Sequence, residues 1–270
     1  DGTIGLDVAE LNLRAVALRN VRVDATTDGR SWTINEASAH LPGDTTVSVS
    51  GDLTADAGRP TFIGAGKLVS TRLDGLAALW RKPPQGNPLF NVPGALEARV
   101  SLVGETLSLS AATLTVEKAR VPFAAEIGFA NATRHLNLSS NLGALTPMES
   151  AQLLALLPDP GDDSRFGFTF PQGRFDLAAS QLTIADLAGE NLAAKGTWDG
   201  GVLALDTFTG TLGGVTYEAK LTAFGTILQP EVSGTARLAV ADAAAPGLGR
   251  LLDTLKAPQG VRDWLLRAVP

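Results

Sequence analysis

Leu6-Asp7-Val8-Ala9-Glu10-Leu11-Asn12-Leu13-Arg14-Ala15-Val16-Ala17-Leu18-Arg19-Asn20-Val21-Arg22-Val23 is written into this chain twice. Moved 171 positions without a gap, it falls on Leu177 to Ala194. Leu11 then meets Leu182, Leu13 meets Ile184, Val16 meets Leu187, Asn20 meets Asn191 and Val21 meets Leu192. Further along, Leu41-Pro42-Gly43 meets Leu212-Gly213-Gly214. After a one-residue slip Pro60-Thr61-Phe62 meets Pro230-Glu231-Val232, Gly64 meets Gly234 and Leu68 meets Leu238. Both copies end in a short apolar segment, Leu73 to Trp80 and Leu248 to Leu255. An internal repeat implies a unit that is stacked or extended rather than a single closed core.

Within the quoted stretch, apolar pairs recur every five residues: Leu6/Val8, Leu11/Leu13, Val16/Leu18, Val21/Val23. A straight strand has a side-chain period of two and cannot keep all of these on one face. Either bulges or turns reset the register, or the segment winds as a solenoid. Elsewhere the alternation is plain. Ser31-Trp32-Thr33-Ile34, Val47-Ser48-Val49-Ser50 and Phe62 to Val69 read as strands, with Asp28-Gly29, Pro42-Gly43-Asp44 and Asp56 to Pro60 as turns. Arg72 to Trp80 has helical spacing and must stop at Pro83 and Pro84, which lack the amide donor.

A looser third copy lies between. Ala95 to Leu102, Leu107-Ser108-Leu109, Leu114-Thr115-Val116, Ala125 to Phe129 and Leu136-Asn137-Leu138 alternate, and Met148 to Leu157 reads as a helix opened by Thr146-Pro147. Pro158 to Asp163 is the most linker-like stretch. Later strands are expected at Val202 to Leu205, Tyr217 to Leu221 and Val232 to Val240, and a helix at Gln259 to Val269. The expectation is an all-β antiparallel architecture of about three repeats with short helices at the repeat ends: 1–88, 89–160 and 161–270.

Composition narrows the function classes. The chain has 270 residues, 44% hydrophobic and 19% charged, which argues against disorder. Net charge is −6 with no basic stripe, so nucleic acid is not the expected partner. There is no cysteine, which removes disulfides, thiolate metal sites and cysteine nucleophiles. No apolar run reaches the roughly 18 residues of a membrane-spanning helix. The chain begins at Asp1, already in strand-like sequence, and reads as a piece of a longer protein.

Catalytic signals are weak. His40 and His135 lie in different repeats with no spaced His, Cys or carboxylate cluster, so they read as ordinary strand positions. Asp159, Asp162 and Asp163 have no closing glutamate and read as a solvated linker rather than a calcium loop. Gly200-Gly201 and Gly213-Gly214 read as hairpin turns, since no Lys and no strand–Gly–helix order follows. Ser108 and Ser110 sit in no nucleophile elbow. No catalytic residue, metal ligand or cofactor is therefore expected. The short helices read as caps over exposed sheet, and Trp80 and Trp264 as locally packed.

The residues Leu6-Asp7-Val8…Leu11-Asn12-Leu13…Leu18-Arg19-Asn20-Val21, with Leu41-Pro42-Gly43-Asp44-Thr45 and Val49-Ser50-Gly51-Asp52-Leu53, resemble the AsmA-like family of Gram-negative envelope proteins. The likeness covers Gly5 to Val69, recurs from Phe175 to Ala239, and is weaker between Ala95 and Leu157. The resemblance implies an elongated, strongly bent, taco-like antiparallel sheet in the periplasm. It also implies an inner-membrane anchor outside this chain and a part in outer-membrane lipid homeostasis. The apolar strand faces are then the site, with Val47, Val49, Leu53, Leu102, Leu107, Leu109, Leu114, Val116, Leu136 and Leu138 as lipid-contact candidates. A trough of Leu, Val and Ala holds acyl chains at about 0.8 kcal/mol per buried methylene, and a mostly aliphatic lining suits sliding. The other reading is a structural or interaction scaffold whose apolar face closes on its own core and takes no ligand.

Overall fold

The structure is a computed structural model. It describes every residue except 14–15, 42–43, 57, 79–85, 131–132, 157–169, 200, 227–228, 255–257 and 269–270. The chain is mostly strand, arranged as one open, mostly antiparallel sheet of fourteen strands in chain order. Five strands come first: β1 (Gly2–Leu13), β2 (Val16–Thr27), β3 (Trp32–Leu41), β4 (Thr45–Asp56) and β5 (Arg59–Ser70), then helix α1 (Leu73–Ala77) and a 3-10 turn at Pro88–Phe90. Four follow: β6 (Gly94–Val103), β7 (Thr106–Val116), β8 (Ala119–Gly128) and β9 (His135–Asn141), then α2 (Pro147–Ala155). The last five are β10 (Gln172–Ile184), β11 (Leu187–Asp199), β12 (Val202–Leu212), β13 (Val215–Thr226) and β14 (Gln229–Val240), closed by α3 (Pro246–Thr254) and α4 (Gln259–Ala268). By packing, residues 1–138 with 152–170 form one compact unit, and 139–151 with 171–270 a second.

The 171-residue offset holds strand by strand. It carries β1 onto β10, β2 onto β11, β3 onto β12 and β4 onto β13 with ends matching to about a residue, and β5 onto β14 with the one-residue slip. Leu79, Trp80, Leu157, Leu255 and the Pro158–Asp163 stretch lie outside the described residues. Leu107–Leu109 and Leu114–Val116, read above as two runs, are one strand, β7.

What joins those two runs also explains the five-residue spacing. In β2, Leu18 and Val21 are half-buried with Arg19 and Asn20 both exposed between them. Asn20 has φ 49, and the ladder to β3 slips between Arg19 and Arg22. In β11, Gly189 and Leu192 are buried around exposed Glu190 and Asn191, with Asn191 also at φ 49 and a slip between Glu190 and Ala193. In β7 the same role falls to Ala111, φ 47, between Leu109 and Ala112. Each is a β-bulge: one extra residue resets the alternation, so apolar pairs three apart return to the same face. Asparagine suits the left-handed conformation better than most side chains. Of the other two breaks, Val8 to Leu11 lies across from the bulge, with Val8 opposite Val21 and Leu11 opposite Leu18, and Leu13 to Val16 is where β1 meets β2, those two residues being paired. Bulged hairpins, not a solenoid, are what the spacing encodes.

The hairpins follow turn chemistry. Gly213 and Gly214, φ 58 and 81, form the two-residue β12–β13 turn. At the β2–β3 turn, Asp28 accepts the Arg30 and Ser31 amides at 2.9 and 2.8 Å, which with the Ser31 hydroxyl holds its carboxyl below the usual aspartate range.

Full burial is concentrated where the short helices meet the strands. In the first unit Leu73, Leu76 and Ala77 of α1 pack with Phe90, Val116 and Leu156, flanked by Leu68, Val92, Leu114 and Leu153. A five-residue helix cannot persist by propensity; it is held by this burial, by the Leu73 amide donating to the Val92 carbonyl at 2.7 Å, and by the Ala78 amide on Asp74. Beneath it, the directly opposed Thr45 and Ser70 share a buried hydroxyl–hydroxyl bond of 3.0 Å. In the second unit, Leu248 and Leu252 of α3 pack on Val215 and Ala245, with Tyr217 and Val240 at the margin. Helix α4 is tied back by Arg262, which donates to Asp253 at 2.7 Å and to the Leu252 carbonyl at 2.9 Å. Its Trp264 is 63% exposed, contrary to the expectation of local packing. No helix among the described residues is long and apolar enough to cross a membrane.

Candidate functional site: the apolar face of the sheet

Directly opposed residues of antiparallel strands share a face, so the register sorts every side chain. In the first unit one row runs Trp32, Leu53, Phe62, Leu102, Leu107, Ile127 across six strands. A second runs Ala39, Val47, Leu68, Leu96, Leu114, Val121. Between them lie Val49 opposite Ala37 and Gly66, and Leu109 opposite Val100 and Ala125. Seven of the ten candidate contacts are thereby on one face, and Val116, two residues after Leu114 on β7, is the eighth. Leu136 and Leu138 join them by alternation, because His135 and Asn137 between and beside them bond Glu126 on the opposite face.

Nine of the ten are half-buried. Val116 differs: it is fully buried in the α1 cluster and has no surface to offer a ligand. Large apolar side chains standing half-buried in aligned rows form a surface between solvent and core, whereas a filled core drives such residues to near-zero exposure.

The opposite face carries the paired charges, with Ile63, Val69 and Val103 exposed among them. Asp7–Arg22, Glu10–Arg19, Lys67–Glu97, Asp176–Lys195 and Glu218–Arg237 are each directly opposite across neighbouring strands, at 3.2, 3.7, 2.7, 2.9 and 3.7 Å. Each is exposed and screened by solvent, so it adds little to stability, but each penalises a one-residue slip, which would place the charges on the apolar side. The Lys67 ammonium, by hydrogen bond and charge, holds the Glu97 carboxyl below the usual glutamate range.

Among the described residues no group of His, Asp and Glu could hold a metal ion. His40 is exposed on β3. His135 does have a carboxylate neighbour, which its sequence context did not reveal: Nε2 lies 3.2 Å from Glu126 Oε1, and Nδ1 lies 2.8 Å from the Thr133 carbonyl. Glu126 also accepts from Asn137 at 3.0 Å, so the three side chains cross-link β8 and β9 on the polar face. Ser108 is opposed by Ser101 and Glu126, neither of them a histidine. Asp159, Asp162, Asp163 and Gly200 lie outside the described residues.

The second unit has its own apolar face, which the candidate residues missed. Phe175 opposes Gly196, Leu177 opposes Ala194, Trp198 opposes Leu203, and Leu205 opposes Gly196 and Leu221. Phe175 and Trp198 stack at 6.5 Å, and Phe208 meets Tyr217 at 6.0 Å. The repeat itself was the signal: the offset carries Val47, Val49 and Leu53, allowing for the slip, onto Tyr217, Ala219 and Ala223. Trp32, Phe62 and Phe123 stand on the first unit's apolar face, so the face of each unit is more aromatic than composition suggested. Comparison with protein-family models, with curated proteins and with solved structures finds no match to the chain.

Proposed function

We propose that the chain is a lipid-binding, lipid-conduit module of a periplasmic envelope protein of AsmA-like type, anchored in the inner membrane by a segment outside this chain and serving outer-membrane lipid homeostasis. The observation that carries this reading is the aligned, half-buried apolar face backed by one that carries the ion pairs. Such a face presents hydrocarbon without head-group chemistry, as a phospholipid or other acyl lipid requires. At about 0.8 kcal/mol per methylene, covering about ten acyl carbons contributes about 8 kcal/mol before ordering costs.

Three repeats, each a bulged strand group closed by a short helix, are the second part of the proposal. Asn20, Ala111 and Asn191 all stand in left-handed conformation in the second strand of their group. Bulges bend strands, and we assign to them the curling of the sheet over its apolar face. No catalytic step is proposed. The competing reading is a scaffold with a closed core. It is favoured by the nearly complete burial of Phe62, Ala98 and Ala112 on the same face, at 8%, 8% and 1% exposure.

Native mass spectrometry with lipid extraction, on the chain purified from a Gram-negative host, tests the proposal. The expected result is bound phospholipid at defined stoichiometry, lost in Val49→Asp, Leu109→Asp and Leu138→Asp variants whose circular dichroism is unchanged. A lipid-free protein that also declines added phospholipid would leave the scaffold reading standing.

A further inference from the structure

Strand β9 is the shortest of the fourteen, with seven residues where every other strand has ten or more. Its backbone ladder is short, so side-chain bonds to β8 carry more of that seam than elsewhere in the sheet. His135, its first residue, faces two acceptors: Nε2 lies 3.2 Å from Glu126 Oε1, and Nδ1 lies 2.8 Å from the Thr133 carbonyl. An ionised carboxylate and a carbonyl can only accept. A neutral imidazole has one N–H, so it satisfies one of them and turns a lone pair toward the other; only the imidazolium donates to both.

The ring also has a seat. Gly128, at the end of β8, is buried, and a Cβ there would overlap Cε1 and Nδ1 of the His135 imidazole. Gly128 does not stand at positive φ, so its backbone makes no demand for glycine; the room for the ring does. With the His135 side chain 26% exposed and that of Glu126 47% exposed, a proton can enter and leave without unfolding. The other charged groups around the ring are Arg134, next to it in the chain, and Arg59 and Glu105, which line the same cleft of about 610 Å³ from β5 and the β6–β7 turn. From β7 the residue opposite Glu126 is Ser108, which is uncharged. Arg59 and Arg134 oppose the cation and Glu105 favours it. Arg59 and Glu105 are exposed and screened by solvent, so the direct bonds to Glu126 and Thr133 weigh more.

We propose that His135 is a proton-dependent clasp between β8 and β9, closed while the ring is imidazolium and slackened when it loses a proton. The charged ring gains partners in the fold. Its contribution is therefore complete below the ordinary histidine value of about 6.5 and is lost as pH rises through the titration of the folded ring. On the acid side the limit is set by Glu126, which must stay ionised. Asn137 bonds Glu126 at 3.0 Å in either state, so opening loosens the seam without parting it. Because β9 carries His135 and Asn137 on one face and Leu136 and Leu138 on the other, slackening the clasp also frees those two leucines. The clasp works from the ion-paired face, and it holds equally with or without a ligand on the apolar one.

Two readouts on the whole chain test this, from about pH 5.5 to about pH 8.5, either side of the ordinary histidine range. Nitrogen-15 NMR of the His135 ring reads its charge, and amide hydrogen exchange, corrected for the intrinsic rate, reads the seam. In acid both ring nitrogens should carry a proton, and Glu126→Gln, which keeps the shape and removes the charge, should move the titration to lower pH. As the ring loses its proton, β9 amides should exchange at least about threefold faster relative to those of β6 and β7. That pH dependence should shrink in Glu126→Gln and vanish in Gly128→Ala, whose methyl group displaces the ring. A titration that Glu126→Gln leaves unmoved would overturn the proposal. So would β9 amides that follow the same pH profile as those of β6 and β7, the outcome expected of a histidine that titrates without holding the seam.

Discussion

Replacing Leu76 and Leu109 separately by alanine measures how far the apolar face differs from a filled core. Leu76 is fully buried by Leu73, Ala77, Phe90, Val116 and Leu156. Its truncation leaves a cavity that α1, bound at Val92 and wedged on the strand ends, cannot collapse into, and the cost should be about 3–4 kcal/mol. Leu109 has the same chemistry but stands half-buried between Val100 and Ala125. It keeps water on one side in the folded state, so truncation forfeits only part of the transfer term and leaves no enclosed void. About 1 kcal/mol is expected. Urea unfolding followed by tryptophan fluorescence and far-ultraviolet circular dichroism reads both, with the slope checked for constancy so that midpoint shifts convert to free energy. Leu109→Asp extends the contrast: on a face open to solvent the variant stays folded, whereas a carboxylate in a closed core costs several kcal/mol. If Leu109→Ala proves as costly as Leu76→Ala, the face is filled in solution and the argument for a ligand surface fails.

Two further expectations concern backbone and helix end. Gly51 has φ +152, and a Cβ there would overlap the Ile63 carbonyl and Gly64 of the adjoining strand, so Gly51→Ala should cost roughly 3 kcal/mol or more; Gly58→Ala, at φ +76 in open space, should cost only about 1 in the same denaturation assay. Helix α2 opens with a capping box in which Thr146 donates its amide and hydroxyl to Glu149, both at 2.8 Å, holding that carboxyl below the usual glutamate range. A depressed folded pKa stabilises above the unfolded pKa, and that contribution is lost as pH falls through the folded value. Glu149→Gln should therefore destabilise at neutral pH and make no difference in acid, as read by urea midpoints at both pH values. Equal loss at both would remove the charge from the account.

A good part of the fold is legible before any coordinates. Asp28-Gly29 and Gly213-Gly214 name their hairpins because positive φ is a property of one or two residues. Thr146-Pro147 opens α2 for the same local reason. The 171-residue offset places strands in both copies. The Leu18–Val21 interval also announces an irregularity, without saying whether it is a bulge, a turn or a coil.

What the amino-acid sequence alone determined was therefore strand, turn and repeat, since alternation and turn preference act between residues close together along the chain. Only the tertiary structure decided the register. Trp32, Leu53, Phe62, Leu102, Leu107 and Ile127 form one row, and His135 finds Glu126, because strands distant in sequence settle where apolar faces and opposed charges agree together. The same pairing took Val116 out of the candidate face and into the α1 core, and brought aromatics from separate strands onto one side. A single strand carries no information about its partner's position; that is fixed by the summed energy of a ladder, which exists only when both strands are present.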